Sequence, residues 1–201
     1  YHDHWLRMET RRERPDGTPE VDMNDCLKSS LRMRPDRIIV GEVRSSEAAT
    51  LLTAMNTGHD GSFGSLHANT AMETITRMIN PPMNVPPIML TGLDLIIIQA
   101  RLYVNGKTAR KITEVAEVAG MEGDKPRLNA IWKYNAATEQ IEETGIPSKM
   151  RETICTAAGI TPAQFEQHIK QREQILADLL NRDIRDIETV TKVIQSFYAS
   201  R

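Results

Sequence analysis

Arg34-Pro35-Asp36-Arg37-Ile38-Ile39-Val40-Gly41-Glu42-Val43-Arg44 sets three β-branched residues in a row, then a glycine and a lone carboxylate. Branching at Cβ favours extended backbone, and an unbroken apolar run marks a strand covered on both faces. Ile38 to Val40 is therefore read as a buried strand. In open α/β sheets ligands gather at the C-terminal ends of the strands, and Glu42 stands at that end. Taken by itself, the segment also fits a surface Glu after any buried strand.

Upstream, residues 1–20 are polar, with Arg7, Arg11, Arg12 and Arg14 close together and Pro15, Gly17 and Pro19 following. A strand fragment running into a loop is expected there. Asp22 reads as the N-cap of a helix with Met23, Cys26, Leu27 and Leu31 on one face, running to about Met33 and closed by Pro35. Downstream, residues 46–57 read as a helix with Leu51, Leu52 and Met55 on one side, and Gly58 closes it. Ser62 to His67 reads as a second strand, and Thr70 starts the next helix. Strand, helix, strand, helix is the order of a parallel sheet covered by helices.

The pattern then changes. Leu95 to Val104 reads as a long strand, Asn105-Gly106 as a type I′ hairpin turn, and Lys107 to Ala119 as the returning strand. Residues 127–134 offer a third. An antiparallel meander attached to the parallel core is expected. The tail is helical. Ser148 reads as a cap, and Thr161-Pro162-Ala163-Gln164 combines an N-cap, a first-turn proline and a capping-box Gln. That helix, to about Asn181, is expected to bury Phe165, Ile169, Ile175, Leu176 and Leu179. Asp186 caps the last helix. The expected division is 1–146 and 147–201.

Composition narrows the function classes. A net charge of −2 argues against nucleic acid as the main partner, because such domains carry a basic excess. Cys26 and Cys155 lie far apart and outside any CxxC pair, so both are read as reduced. No apolar run is long enough to span a membrane, and no signal peptide is visible. The chain opens on Tyr1 rather than Met, which reads as part of something longer. His2, His4, Cys26 and His59 lack the spacing of a structural zinc cluster, so no metal ligand set is expected. Met78, Met83 and Met89, with Pro81, Pro82, Pro86 and Pro87, read as an apolar connector that packs or meets a neighbouring subunit.

A second segment bears chemistry: Gly58-His59-Asp60-Gly61-Ser62-Phe63-Gly64-Ser65-Leu66-His67-Ala68-Asn69-Thr70. Its glycines permit a tight turn and close backbone approach. His67 would end the strand, beside the carboxylate strand, where an imidazole could hydrogen-bond a phosphate. Alone, it also reads as a residue capping the next helix. In P-loop NTPases a buried strand delivers a carboxylate that binds Mg²⁺ through water or orients the attacking water.

Together the two segments resemble the Walker B and His boxes of the secretion ATPase superfamily, the motors of type II and type IV secretion, type IV pili, tight-adherence pili and archaeal pili or archaella. The resemblance covers about residues 1–123, including Met8-Glu9-Thr10-Arg11 and Met121-Glu122-Gly123. It implies an α/β fold: the C-terminal half of a RecA-like P-loop ATPase core with an antiparallel β extension and a C-terminal helical subdomain. It implies Glu42 as the catalytic glutamate, His67 as the phosphate-contacting histidine and Arg44 at the site edge. Arg7 and Arg11 match the family's interface arginines, and Gly41, Gly58 and Gly61 its nucleotide-binding glycines. ATP and Mg²⁺ are the implied cofactors, with Glu42 reaching Mg²⁺ through water. A homohexamer working on a membrane platform protein, at the cytoplasmic face of the membrane, is the implied assembly. Two departures stand out: Gly64 where the family often has Thr, which predicts a looser strand, and Ser45-Ser46 where Gly or an acidic residue is common.

Hydrolysis also needs the phosphate cradle G-x-x-x-x-G-K-[ST]. Gly106-Lys107-Thr108 is a decoy: Arg101 stands where the first glycine belongs, and no helix follows. In the family the cradle and an acidic Mg²⁺ box lie upstream of the residues matching Tyr1. The chain alone is therefore expected to bind ATP poorly and not to hydrolyse it. Two other readings remain: a non-catalytic interaction module, and a nucleic-acid translocating ATPase, although the stacking pattern of the latter is missing.

Overall fold

The computed structural model describes residues 4–104 and 106–199, which divide into two compact units. The larger runs from Glu9 to Met150, and the smaller joins the residues up to Met8 with those from Arg151 onward.

In the larger unit, the strand fragment expected near the start is replaced by one antiparallel bridge between Arg11 and Val21. Helix α1 (Met23–Leu31) starts at Asp22, whose carboxylate accepts the N–H of Asp25 at 2.7 Å. Asp25 accepts the N–H of Asp22 in return, a reciprocal cap that the sequence position of Asp22 predicts. Strand β1 (Ile39–Val40), helix α2 (Glu47–Asn56), strand β2 (Phe63–Gly64) and helix α3 (Ala71–Ile79) then follow in the predicted order. β1 and β2 pair in parallel, Ile39 beside Phe63 and Val40 beside Gly64. Both strands are shorter than expected, because each finds one partner among the described residues and only their overlap forms a ladder. Gly64 makes a tight contact rather than a loose one. A Cβ there would lie 3.0 Å from Val43 Cγ2 and 3.2 Å from Leu51 Cδ2. The bare backbone lets α2 close onto β2.

The connector forms a 3₁₀ turn over Pro87–Gly92, and Met78, Met83, Val85 and Leu90 are buried. Met89 packs against the same core, so this stretch serves packing. β3 (Leu95–Val104), β4 (Lys107–Glu122), β5 (Lys125–Asn135) and β6 (Gln140–Glu143) form an antiparallel sheet in sequence order. Asn105 of the predicted hairpin turn lies outside the described residues, but Val104 pairs with Lys107 across it. β6 has no counterpart in the sequence reading. Leu27, Val40, Leu52, Ile75, Ile98 and Ala116 belong to one hydrophobic cluster, so the two sheets share a core.

A buried carboxylate stands on β4, next to that core. Glu117 of β4 is 2% exposed. It accepts the backbone N–H of Lys149 at 2.8 Å and of Met150 at 3.2 Å, and the hydroxyl of Ser148 donates to it. The start of α4 (Lys149–Ala158) is thus held by an anion from β4, where a helix N-terminus favours negative charge.

The smaller unit contains α5 (Pro162–Asn181) and α6 (Ile187–Ala199). α5 opens on the predicted capping box of Thr161 and Gln164. Asp186 accepts the N–H of Thr189 at 2.8 Å and caps α6. The Arg172 guanidinium lies 5.7 Å from the ring centres of both Phe197 and Tyr198. Leu179 is buried as expected, but Ile169 and Leu176 are exposed. A unit this small cannot enclose every apolar position of a long helix.

Candidate functional site

Parallel pairing decides what meets at the end of the strands. β1 and β2 run the same way, so the residues that follow each of them emerge on one side. The backbone keeps that alignment past the strands: Ser65 N–H donates to Val40 O at 3.2 Å, and Val43 N–H to Ser65 O at 2.8 Å. The Ser65 hydroxyl donates to Gly41 O. Glu42 and His67 consequently face each other, with His67 Nε2 3.2 Å from Glu42 Oε1. The other carboxylate oxygen, Oε2, takes an Nη2 hydrogen bond from Arg44.

The group is open to water on the nitrogen side. The side chains of His67 and Arg44 are 87% and 73% exposed, while Glu42 is 27% exposed between them. The hydrogen bond from Arg44 holds the Glu42 carboxyl below its usual range. Desolvation works against that shift, and the charges of Arg44 and His67 add to it. Arg44 is held charged in return, first by the same hydrogen bond. The arrangement is an ionised carboxylate flanked by two nitrogen donors, which can turn to receive an anion.

Of the other expected site residues, Gly41 lies beside Glu42 and its carbonyl takes the Ser65 hydroxyl. Gly58 and Gly61 precede β2 and lie at its opposite end, so the structure does not bring them to Glu42 and His67. Gly58 lines a cleft there with Arg34, Asp36, Arg37 and Asp60, and both glycines have positive φ, 98° and 75°. Their backbone serves the turn into β2. Arg11 donates its guanidinium to Pro19 O at 3.1 Å, folded onto its own loop. Arg7 belongs to the smaller unit. Lys107 and Thr108 open β4 and pair with Val104 and Tyr103.

Next to His67 lies an apolar groove of about 380 Å³, lined by Val43, Gly64, Leu66, Leu95, Ile97 and Ile98 among others. The segment from Gly64 to Ala68 and the first residues of β3 both line it, with side chains of α2 and α3. Two carboxylates in the site region escape the sequence reading. Glu47, 5% exposed, accepts the N–H of Arg44 and, at 2.8 Å, that of Ser45. Glu73 accepts the N–H of Asn69 at 2.9 Å, two residues after His67. Thr70-Ala71-Met72-Glu73 carries the capping-box spacing that signals such a fold-back, whereas Glu47, in the first turn after Ser46, reads from sequence as a solvated residue. Among the described residues no group of three or more His, Cys, Asp or Glu is placed to hold a metal. His2 lies outside them. No helix among them is long and apolar enough to cross a membrane.

This geometry can be set beside known proteins. The chain is similar to an uncharacterized protein of Methanocaldococcus jannaschii, MJ0900, at 32% identity over 98% of this chain and 36% of that protein. It thus spans about a third of that relative's length. It is similar to the type IV pilus assembly ATPase PilB of Pseudomonas aeruginosa at 43% identity, over 39% of this chain and 14% of PilB. The crystal structure of the VirB11 ATPase from the Brucella suis type IV secretion system, in complex with sulphate, aligns with 48% of this chain and 32% of its own, at 30% identity and a TM-score of 0.42. The family described as type II/IV secretion system protein matches residues 7–192, and the chain belongs to it.

Proposed function

We propose that Glu9–Met150 is the C-terminal part of a RecA-like ATPase core, and that the whole protein hydrolyses ATP to drive secretion or pilus assembly. One observation carries this reading: two parallel strands bring His67 to Glu42 at their C-terminal ends, where Glu42 also takes the guanidinium of nearby Arg44. The donor set suits the triphosphate end of Mg²⁺-ATP. A carboxylate oxygen fits the water shell of a hard cation, and two nitrogen donors fit phosphate oxygens. Bound Mg²⁺-ATP would supply the phosphorus centre that water attacks. Glu42 takes the proton of that water on a carboxylate oxygen. His67 Nε2 and the Arg44 guanidinium donate to oxygens on which charge builds.

The phosphate cradle is absent from these 201 residues, so we assign it to another stretch of the whole protein. The apolar groove beside His67, lined partly by β3, which ends its sheet among the described residues, is the place we assign to an added strand of that stretch. The working unit is a homohexamer, with Arg7 and Arg11 as candidates to reach a neighbour's phosphates. Its partner is a membrane platform protein, met from the cytoplasmic side, and the net charge of −2 gives no basic excess for a nucleic-acid partner. Purified whole protein is expected to release phosphate from ATP in the presence of Mg²⁺, and the 201-residue chain alone to release none. Robust phosphate release by the chain alone would refute the division of labour between cradle and carboxylate.

Arg44 gives a pH test. Its hydrogen bond is the largest cause of the lowered Glu42 pKa, so Arg44→Ala lets that pKa rise. A base with a raised pKa is lost at higher pH as the solution is acidified. The acid limb of kcat against pH is therefore expected to move to higher pH in Arg44→Ala, measured by phosphate release in the whole protein. An unmoved limb would mean that Glu42 is not the titrating group.

A further inference from the structure

Glu47 is a carboxylate in an unusual place. It opens α2, where an acidic residue gains from the helix N-terminus while facing water. Here it is buried, and its Oε1 turns back to accept the N–H groups of Arg44 and Ser45. Ser46, at the cap position, makes no side-chain cap bond. The loop between β1 and α2 is thus closed from the helix side by Glu47. On the strand side, Val43 N–H is held by Ser65 O. The residues between these two anchors are those that set the direction of the Arg44 side chain.

We propose that Glu47 is a positioning residue for the site: it fixes the backbone of Arg44 and Ser45, and so the approach of Arg44 to Glu42 and of Glu42 to His67. The inference rests on the reading of Glu42 as the proton acceptor. It needs the acceptor oxygen of Glu47 rather than its charge. Both bonds go to one oxygen, which the carboxamide of Gln also provides. Asp, one methylene shorter, cannot span from the first turn of α2 back to both N–H groups.

The test compares Glu47→Gln, Glu47→Asp and Glu47→Ala in the whole protein, reading kcat, KM for ATP and the pH profile. Glu47→Ala and Glu47→Asp are expected to lower kcat by about 10²-fold, the effect of misplacing a catalytic group by roughly 1 Å. KM is expected to stay within about threefold, since the cradle that binds the phosphates is elsewhere. The acid limb of the profile moves to higher pH in both, because Arg44 no longer bears squarely on Glu42. Glu47→Gln is expected to restore most of the rate and the wild-type limb. If Glu47→Ala fails to fold, the Asp and Gln variants carry the comparison. Wild-type kcat and profile in Glu47→Asp overturn the proposal, and so does a Gln variant as impaired as the Asp variant. If Glu42→Gln loses turnover while Glu47→Asp keeps it, the inference about Glu47 fails alone. If Glu42→Gln keeps turnover, the reading beneath it fails.

Discussion

Glu42→Gln in the whole protein is expected to lower ATP turnover by about 10²- to 10⁴-fold, the range for loss of a positioned general base. The substitution is close to isosteric. The carboxamide oxygen can still accept from Arg44 and the site keeps its shape, so the folded protein should persist. What disappears is the ability to take a proton, because an amide is not a base near neutral pH. Nucleotide binding should survive, since the phosphates are held mainly by a backbone cradle outside these residues. Removing a negative charge beside the phosphates can even tighten it. Phosphate release and fluorescent-nucleotide binding, measured on the same preparation, separate the two effects. Undiminished turnover would remove Glu42 from the chemistry and assign the base to another residue.

The largest expected effect on stability is at Glu117. Glu117→Ala strips the acceptor from Lys149 N–H, Met150 N–H and the Ser148 hydroxyl in a buried place. An unmet donor in a fully buried place costs roughly 1–3 kcal/mol, but these three lie at the edge of the core, where water can serve some of them. A net loss of about 3 kcal/mol follows, with the Glu9–Met150 unit as the one affected. Trp132 of β5 reports on that unit, and a Trp5→Phe background removes the tryptophan that belongs to the other. Urea unfolding followed by Trp132 fluorescence is expected to show the loss in midpoint. Glu117→Gln, which keeps one acceptor oxygen and turns the other into a donor facing donors, should fall between. A loss below about 1 kcal/mol for the Ala variant would mean the bonds are replaced without difficulty.

Much of this was legible in the sequence, for reasons that differ by element. α1 announced itself through its N-cap and apolar spacing, and α5 through an N-cap and its reciprocal partner as well. β3 was legible because four consecutive apolar residues and the hairpin signal bounded it. β6 was not, since Gln140-Ile141-Glu142-Glu143 has little apolar pattern and owes its strand to the partner offered by β5. The meeting of Glu42 and His67 was legible because strand termini and sequence order suffice when the strands are parallel. Gly58 and Gly61 were not placed by the sequence: a glycine-rich stretch signals backbone freedom, and here that freedom lies in a turn at the other end of β2 from Glu42 and His67. Glu47 and Glu117 were missed because their roles depend on which N–H groups are left over once the chain has folded. That is a three-dimensional account, not a local one.

The sheet order has a practical side. β3 is ten residues long, begins Leu95-Ile96-Ile97-Ile98, and leaves one side of its backbone unpaired among the described residues. Such an edge invites another copy to add to it, and the first charge along the strand comes only at Arg101. Concentrated solutions of this stretch by itself are thus prone to clumping. A partner strand that occupies the slot would act as its solubiliser.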